Sequence, residues 1–441
     1  MTSAVRRAGA FAALCTLSLA VPLLGPAVAI PIPVVVLLGA LVVTDGPLFD
    51  LFAYPDDYED GRLYGLMAFV LAATALGVVA VMSSMTIAAF VGAVMLVGYG
   101  NLAARLARRR ADDPSVSVGA FCLAGGLAAV VGQALALALA GEAVGAAAAT
   151  IVFLAASGAL LASILREVLI LYDAPVIMLV VGLVLWLLIE LEPAVGSLEV
   201  VVALAVTGAF GYVSYVLGAA SIAGMFTGVL LGLLTIVFGG YDWFVVLLSF
   251  FAIGSLSTKY RYEEKKARGI AEANDGARGS ANVLGNAAVS LAAVIGYAAS
   301  TAGLLALEAD VFLFAFAGSV ATAMSDTLSS EIGGVFDRPR LITTFERVEP
   351  GTDGGVTWQG ELAGIAGATI VAALSFAFFP EVDAVGAAVI VAAGVVGMTV
   401  DSLLGATLEG TVLGNQGVNF LATLSGALVG AVLVFSVAAV G

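Results

Sequence analysis

Asp326 stands at the end of a long apolar run, in Ser325-Asp326-Thr327-Leu328-Ser329-Ser330-Glu331-Ile332-Gly333-Gly334. Pro339-Arg340-Leu341-Ile342-Thr343-Thr344 and Pro350-Gly351-Thr352-Asp353-Gly354-Gly355-Val356 follow it. Ionisable groups are costly in a bilayer interior, so acids, hydroxyls and arginines gathered beside a lipid-like stretch mark a candidate functional site. A second acid stands in similar surroundings, in Gly397-Met398-Thr399-Val400-Asp401-Ser402-Leu403-Leu404-Gly405, with Glu409 eight residues further on. Two carboxylates at one depth could share a Mg²⁺ ion whose octahedron is completed by phosphate oxygens. The plainer readings are polar packing between helices and a hydroxyl-capped helix end.

Basic residues suited to phosphate lie in two loops. The first carries Lys259, Lys265, Lys266, Arg268 and Arg278; the second carries Arg338, Arg340 and Arg347 with the hydroxyls of Thr343 and Thr344. Arginine pairs with phosphate through two parallel N–H donors. Gly351, Thr352, Asp353, Gly354 and Gly355 can turn successive backbone N–H groups toward an anion. The chain has no Gly-Lys dipeptide, which excludes a Walker A loop. Such a glycine-rich run also forms ordinary turns, and a basic loop also sets topology at an anionic membrane surface. Asn282 and Asn286 open one apolar segment, and Asn415, Gln416 and Asn419 open the last. Amides there either cap a helix or orient a nucleotide, and spacing does not decide between the two.

The elements that must position these groups are membrane helices. Of 441 residues, 61% are hydrophobic and only 11% charged, and the mean hydropathy is +1.12. A soluble domain carries about 25% charged residues. Repeated apolar runs near the roughly 20 residues needed to cross a bilayer predict an all-α polytopic bundle of about 13–15 spans. The first two, near 8–28 and 30–44, contain Pro22, Pro26, Pro31 and Pro33. The uninterrupted apolar run 311–324 is roughly 21 Å long as a helix, short of a hydrocarbon core of about 30 Å, which places Asp326 near the rim. Helical spacing puts Asp326 and Ser330 on one face and Ser325 and Ser329 on another. Glu331 points elsewhere unless Gly333-Gly334 ends the helix there.

Absences narrow the chemistry. There is no histidine, and Cys15 and Cys122 are far apart. Zinc sites of the Cys/His type, a Ser-His-Asp triad and a phosphohistidine are excluded. The net charge of −15 argues against nucleic acid as a partner. Three lysines against many acids point to a high-salt organism.

Basic residues orient the stack by the positive-inside rule. With fifteen spans and a cytoplasmic N-terminus, all the basic clusters fall inside, the short acidic connections fall outside, and the C-terminus lies outside. Arg6-Arg7 and the apolar run to Ala27-Val28-Ala29 resemble a cleavable signal, but further spans follow at once, which favours an uncleaved first helix. Composition divides the chain into an N-terminal membrane region, 1–195, and a region 196–441 with two cytoplasmic loops, 258–280 and 331–357.

Over the second region the chain resembles the integral-membrane family catalogued as domain of unknown function 92, also called the transmembrane protein nineteen family. The resemblance runs from about Ser197 to the C-terminus. It rests on Ser257-Thr258-Lys259, Lys265-Lys266, Gly276-Ala277-Arg278 with Asn282, Ser325-Asp326-Thr327, Ser330-Glu331-Ile332-Gly333, the Pro339 and Pro350 motifs, and Asp401-Ser402-Leu403-Leu404-Gly405-Ala406. Leu328 stands where a tryptophan is usual, and Asp353 where asparagine is more common.

Plant members of that family include the phytyl-phosphate kinase of vitamin E synthesis. More distantly, Asp326 with a later glycine-bearing loop is similar to dolichol and phytol kinases, which use CTP. The resemblance implies phosphoryl transfer from CTP or ATP to an isoprenyl monophosphate; in the cell membrane of an archaeon, the source that the high-salt composition suggests, geranylgeranyl phosphate is the natural acceptor. Asp326, Asp401 and Glu331 would be catalytic, Asp326 and Asp401 would hold Mg²⁺, and the basic and glycine loops with Asn282 would bind nucleotide. A transporter or lipid flippase using intramembrane acids, and a CTP-dependent cytidylyltransferase, are the rival readings.

Overall fold

A helix in an apolar setting must satisfy its first-turn N–H groups from its own cap. In the computed structural model, which describes residues 3–169, 173–193, 196–271 and 277–440, several spans do so with a side chain. Ser221 accepts from the Gly224 N–H at 3.1 Å, Thr357 from Gly360 at 3.2 Å, and Asp383 from Gly386 at 2.8 Å. Among the described residues, 13 helices are long and apolar enough to cross a membrane. The chain is the polytopic helical bundle that its apolar runs require. The 30–44 candidate is altered: Pro26–Val42 and Gly46–Phe52 meet at a 112° bend. Asp45, Gly46 and Pro47 stop the helix there, since Gly46 takes a positive φ of 81° and proline disfavours a helical residue before it. The 174–191 candidate is a shorter apolar helix.

The chain divides into two compact units, Met1–Val202 and Ala203–Gly441. Residues 194 and 195, where composition places the joint, lie outside the described residues. The first unit comprises α1 (Ala4–Cys15), α2 (Ala20–Leu24), α3 (Pro31–Val42), α4 (Gly46–Phe52), α5 (Asp57–Asp60), α6 (Tyr64–Met82), α7 (Ile87–Ala107), α8 (Pro114–Leu139), α9 (Ala148–Val168), α10 (Asp173–Glu190) and the start of α11 (Ser197–Val216). Helix α7 is its core, with Val91, Ala93, Leu96 and Val97 fully buried.

The second unit continues with α12 (Ile222–Gly239), α13 (Tyr241–Lys259), α14 (Tyr262–Ala267), α15 (Ser280–Thr301), α16 (Ala309–Gly333), the strands β1 (Arg340–Leu341) and β2 (Gly355–Val356), α17 (Trp358–Phe378), α18 (Ala384–Leu408) and α19 (Asn415–Val440). Helix α16 is central, packed by α13, α15, α17, α18 and α19, and Phe316, Ala317, Ala321 and Met324 are inaccessible. Small residues let the neighbours close on it, as membrane packing favours. A Cβ at Gly318 would lie 2.5 Å from the Gly426 carbonyl, and one at Gly397 would lie 2.1 Å from Thr322 Oγ1. The second contact sets the site. Thr322 and Gly397 are each one helical turn before an acid, so their packing brings Asp326 and Asp401 to one depth.

Candidate functional site

Helix α16 does not stop at its acid. It runs to Gly333, about 10 Å past Asp326 at 1.5 Å per residue, so Asp326 sits two turns before the helix end. The space above it is a polar cavity of about 500 Å³. Its lining comes from α15 (Asn282, Asn286), α16, the Pro350–Val356 turn, α18 (Asp401, Ser402, Gly405) and the start of α19. The Asp326 and Asp401 carboxyls lie within hydrogen-bonding reach of each other. Asp401 Oδ1 and Asn282 Oδ1 are buried with no hydrogen-bond partner. Two carboxylates so close repel unless a proton or a cation lies between them.

Among the described residues, five carboxyls line the cavity (Asp326, Glu331, Asp353, Asp401, Glu409) against two basic groups, Lys265 and Arg278. That balance favours cations, or anions that arrive with cations. Glu409, eight residues past Asp401, follows the last turn of α18, and the fold turns it into the cavity. Burial, and then the negative charge of Asp353, push its carboxyl above the usual range, while a hydrogen bond with Asn415 opposes them. Thr327, Ser329, Ser402 and Gln416 join the lining as well. Asn286 donates to the Asn282 carbonyl one turn back in α15 at 3.0 Å, a bond within the helix and not a cap.

The glycine turn packs down on α18. Gly354 has a φ of 73°, and a Cβ there would lie 2.4 Å from Ala406 Cβ. Strand β1 pairs antiparallel with β2, Arg340 opposite Val356 and Leu341 opposite Gly355. Two N–H groups offered as an anion nest are engaged inside the turn: Thr352 donates to the Glu349 carbonyl at 3.2 Å and Gly355 to the Thr352 carbonyl at 2.9 Å.

The cations expected to hold phosphate separate into three groups. Arg278 is buried and lines the cavity, its guanidinium over the Phe250 ring at 5.2 Å; Gly254 leaves the room for it, since a Cβ there would lie 2.9 Å from Arg278 Nη2. Lys265 also reaches the cavity wall but is only 2% exposed. Its ammonium donates to the Ser257 carbonyl at 3.3 Å, to the Thr258 carbonyl at 2.7 Å, and to Glu331. An ammonium has three donors, so none is left for a phosphate. Glu331 is likewise engaged at both oxygens, by Lys265 and by Thr258 Oγ1. Both are therefore corrected from substrate-binding or catalytic residues to positioning residues that fasten α14 to α16.

The remaining cations do not reach the cavity. Lys266 is exposed, and Lys259 donates to the Leu217 carbonyl at 2.9 Å. Arg340, Thr343, Thr344 and Arg347 are exposed in the hairpin, because the Leu341 N–H to Glu346 bond folds 342–346 into a tip of its own and Arg340 donates to the Phe345 carbonyl at 2.6 Å. Residues 272–276 of the first loop lie outside the described residues.

Removing one partner of a buried pair leaves the other charge uncompensated, at a cost of about 3–5 kcal/mol. Lys265→Met is therefore expected to lower the unfolding temperature sharply, and Lys265→Met with Glu331→Gln to recover part of the loss. A Lys265→Met protein as heat-stable as the parent would show that the pair does not hold α14.

The family model for Integral membrane protein DUF92 matches residues 205–427, just over half of the chain. The chain is 35% identical to the uncharacterized membrane protein MJ0933 of Methanocaldococcus jannaschii over 206 residues, 46% of this chain and 81% of that protein. It is 32% identical to the chloroplastic protein VTE6 of Arabidopsis thaliana over 190 residues, 43% of this chain and 56% of that protein. It is 34% identical to the uncharacterized membrane protein sll0875 of Synechocystis over 196 residues, covering 43% and 73%. No solved structure matches. With its apolar helices and its family-wide match, this chain is an integral membrane protein of the DUF92 family.

Proposed function

We infer that the protein is a membrane prenyl-phosphate kinase, transferring the terminal phosphoryl group of a nucleoside triphosphate (CTP or ATP) to an isoprenyl monophosphate and giving the diphosphate. The observation that carries this reading is the meeting of Asp326 and Asp401 in a polar cavity with buried Arg278, at one end of an otherwise apolar bundle. The family resemblance, which includes the phytyl-phosphate kinase, supports it.

The residues suit Mg²⁺. The donors are all oxygen, and Asp401 Oδ1 lacks a partner. Mg²⁺ is commonly held by one or two carboxylates and completed by water and phosphate. Bound at Asp326 and Asp401, it would supply charge neutralisation on the phosphates. Phosphoryl transfer depends on positioning and electrostatics more than on covalent help. An oxygen of the monophosphate attacks the terminal phosphorus, and the bond to the bridging oxygen breaks with its electron pair leaving on the nucleoside diphosphate. A phosphate monoester has a second pKa of about 6, so the acceptor is ionised near neutral pH without a histidine base. Arg278 offsets the negative charge of the acceptor, and the amides of Asn282, Asn415 and Gln416 stand where they can orient a nucleotide.

Incubating the purified protein in lipid discs with labelled CTP or ATP and geranylgeranyl phosphate tests the reaction. Labelled diphosphate is expected. Release of pyrophosphate instead would favour a cytidylyltransferase, and movement of substrate across a vesicle without nucleotide turnover would favour a transporter.

Arg278→Gln is expected to lower kcat/KM by about a hundredfold, since it removes charge-assisted bonds worth about 1.5–3 kcal/mol in a buried place. Arg347→Ala, at the exposed hairpin tip, is expected to leave the rate near that of the parent. Equal losses in the two variants would sink this assignment of the cations.

The reading also places the cavity mouth on the cytoplasmic side. In a background with Cys15 and Cys122 replaced by Ser, cysteines at Lys266 and Glu349 are expected to react only with reagents that reach the cytoplasm. Labelling of the two from opposite faces would refute a single mouth.

A further inference from the structure

Arg278 borders a second cavity as well. An apolar cleft of about 80 Å³ opens between α11, α12 and α13, lined by Phe210, Met225, Gly228, Phe244, Leu247 and Phe251, with Arg278 also in its lining. Helix α12 presents glycines at 224, 228 and 232 toward its neighbours, and the three differ in what they meet. A Cβ at Gly224 would lie 2.1 Å from the Arg278 carbonyl, and one at Gly232 would lie 2.9 Å from the Phe244 ring. At Gly228 an added Cβ would meet nothing within 4 Å. The helix is therefore clamped on both sides of an open gap. Cavities that hold one water need only about 10–15 Å³ of such space, so the cleft accommodates several methylene-sized groups.

We propose that this cleft receives the isoprenoid tail of the acceptor, with Arg278 holding its phosphate where the apolar cleft meets the acidic cavity. This rests on the kinase reading and deepens it, because it separates the acceptor from the donor. Arg278 lines both spaces, and an amphiphile with an anionic head and an apolar tail is the ligand whose two ends match both. A nucleoside triphosphate has no apolar end for the cleft; it fits the polar side, among Asp326, Asp401 and the amides. The backbone holds the junction: the Arg278 N–H donates to the Ala219 carbonyl at 3.0 Å and its carbonyl accepts from Ser221 at 3.0 Å. The segment entering α15 is thus tied to the start of α12, the helix that bears the gap.

Gly228→Leu puts a branched side chain into the gap from a position where an added Cβ meets nothing within 4 Å, and leucine is the better helix former. In the purified full chain, KM for geranylgeranyl phosphate is expected to rise about tenfold or more, the range for a changed apolar pocket contact. KM for dimethylallyl phosphate, whose tail is short, and for the nucleotide is expected to hold, as is the unfolding temperature. An unchanged KM for geranylgeranyl phosphate overturns the proposal, as does an equal rise for both acceptors.

A second measurement does not depend on turnover. A geranylgeranyl monophosphate carrying a diazirine on its chain is expected to crosslink to α11–α13 of the parent protein and not of Gly228→Leu, and to do so more strongly than the matching diazirine alcohol, which has no phosphate. Crosslinks only on other helices, or equal labelling by the alcohol as by any bilayer lipid, overturn the tail site. Crosslinks in the cleft of a protein that turns over no nucleotide would leave the site standing and remove the kinase reading.

Discussion

Asp326→Asn and Asp401→Asn are each expected to reduce phosphoryl transfer by roughly a thousandfold or more, a loss at the upper end for removal of one preorganised electrostatic contact. Asparagine keeps the size of the side chain and removes its charge, so the packing of Thr322 against Gly397 that aligns α16 and α18 is left in place. Each variant should insert, purify and unfold at or above the parent's temperature, because the parent holds two carboxyls against each other in a buried place. Because the two acids act as one unit, the double variant should be little worse than either single one. Membranes from cells making each variant, assayed with CTP or ATP and geranylgeranyl phosphate, provide the measurement. Parental turnover in either purified variant would remove the paired-carboxylate site; loss of activity accompanied by loss of the folded protein would make the pair structural.

Gly354→Val should be among the most damaging changes outside the acids. Two costs coincide at this position. The backbone φ of 73° belongs to a region that β-branched residues resist, at about 1–3 kcal/mol. The new side chain must also enter space already held by α18, where the Ser402 carbonyl and the Ala406 N–H lie 2.6 and 2.7 Å from the Cβ position. Neither is the yielding end of a flexible side chain, so the turn must lift. Lifting it moves Asp353 away from Glu409 and opens the cavity wall. Activity is expected to fall about a hundredfold, the scale for a small misplacement of positioning groups. Gly410→Ala is the control: Gly410 also has a positive φ, 71°, but open space around its Cβ position. It should cost only the backbone term and keep most of the activity. If Gly354→Val and Gly410→Ala prove equally mild, contact of the turn with α18 does not shape the site.

The helices and the identity of the acid pair were legible in the linear chain. Bilayer-length apolar runs have only one way to satisfy their backbone in lipid, which is to form helices, and an ionisable residue at the end of such a run stands out because lipid tolerates so few. Asp326 and Asp401 were found that way, and the polar loops with them. What composition could not supply was direction. Spacing along one helix says how deep a residue lies and which of its own neighbours share its face, but not which other helix that face meets. Here that was decided by close contacts between small residues, Thr322 on Gly397 and Gly318 on Gly426, which no single segment contains. The basic residues show the same division. All of them read alike as phosphate ligands in the sequence; packing buries Lys265 among two carbonyls and Glu331, the hairpin register turns Arg340 and Arg347 outward, and Gly254 leaves room for Arg278 at the cavity. Glu409 entered the site by the same route, since a residue just past a helix end takes its direction from the turn that follows. Long cationic and acidic side chains carry little local preference for where they point, so the surrounding packing chooses for them.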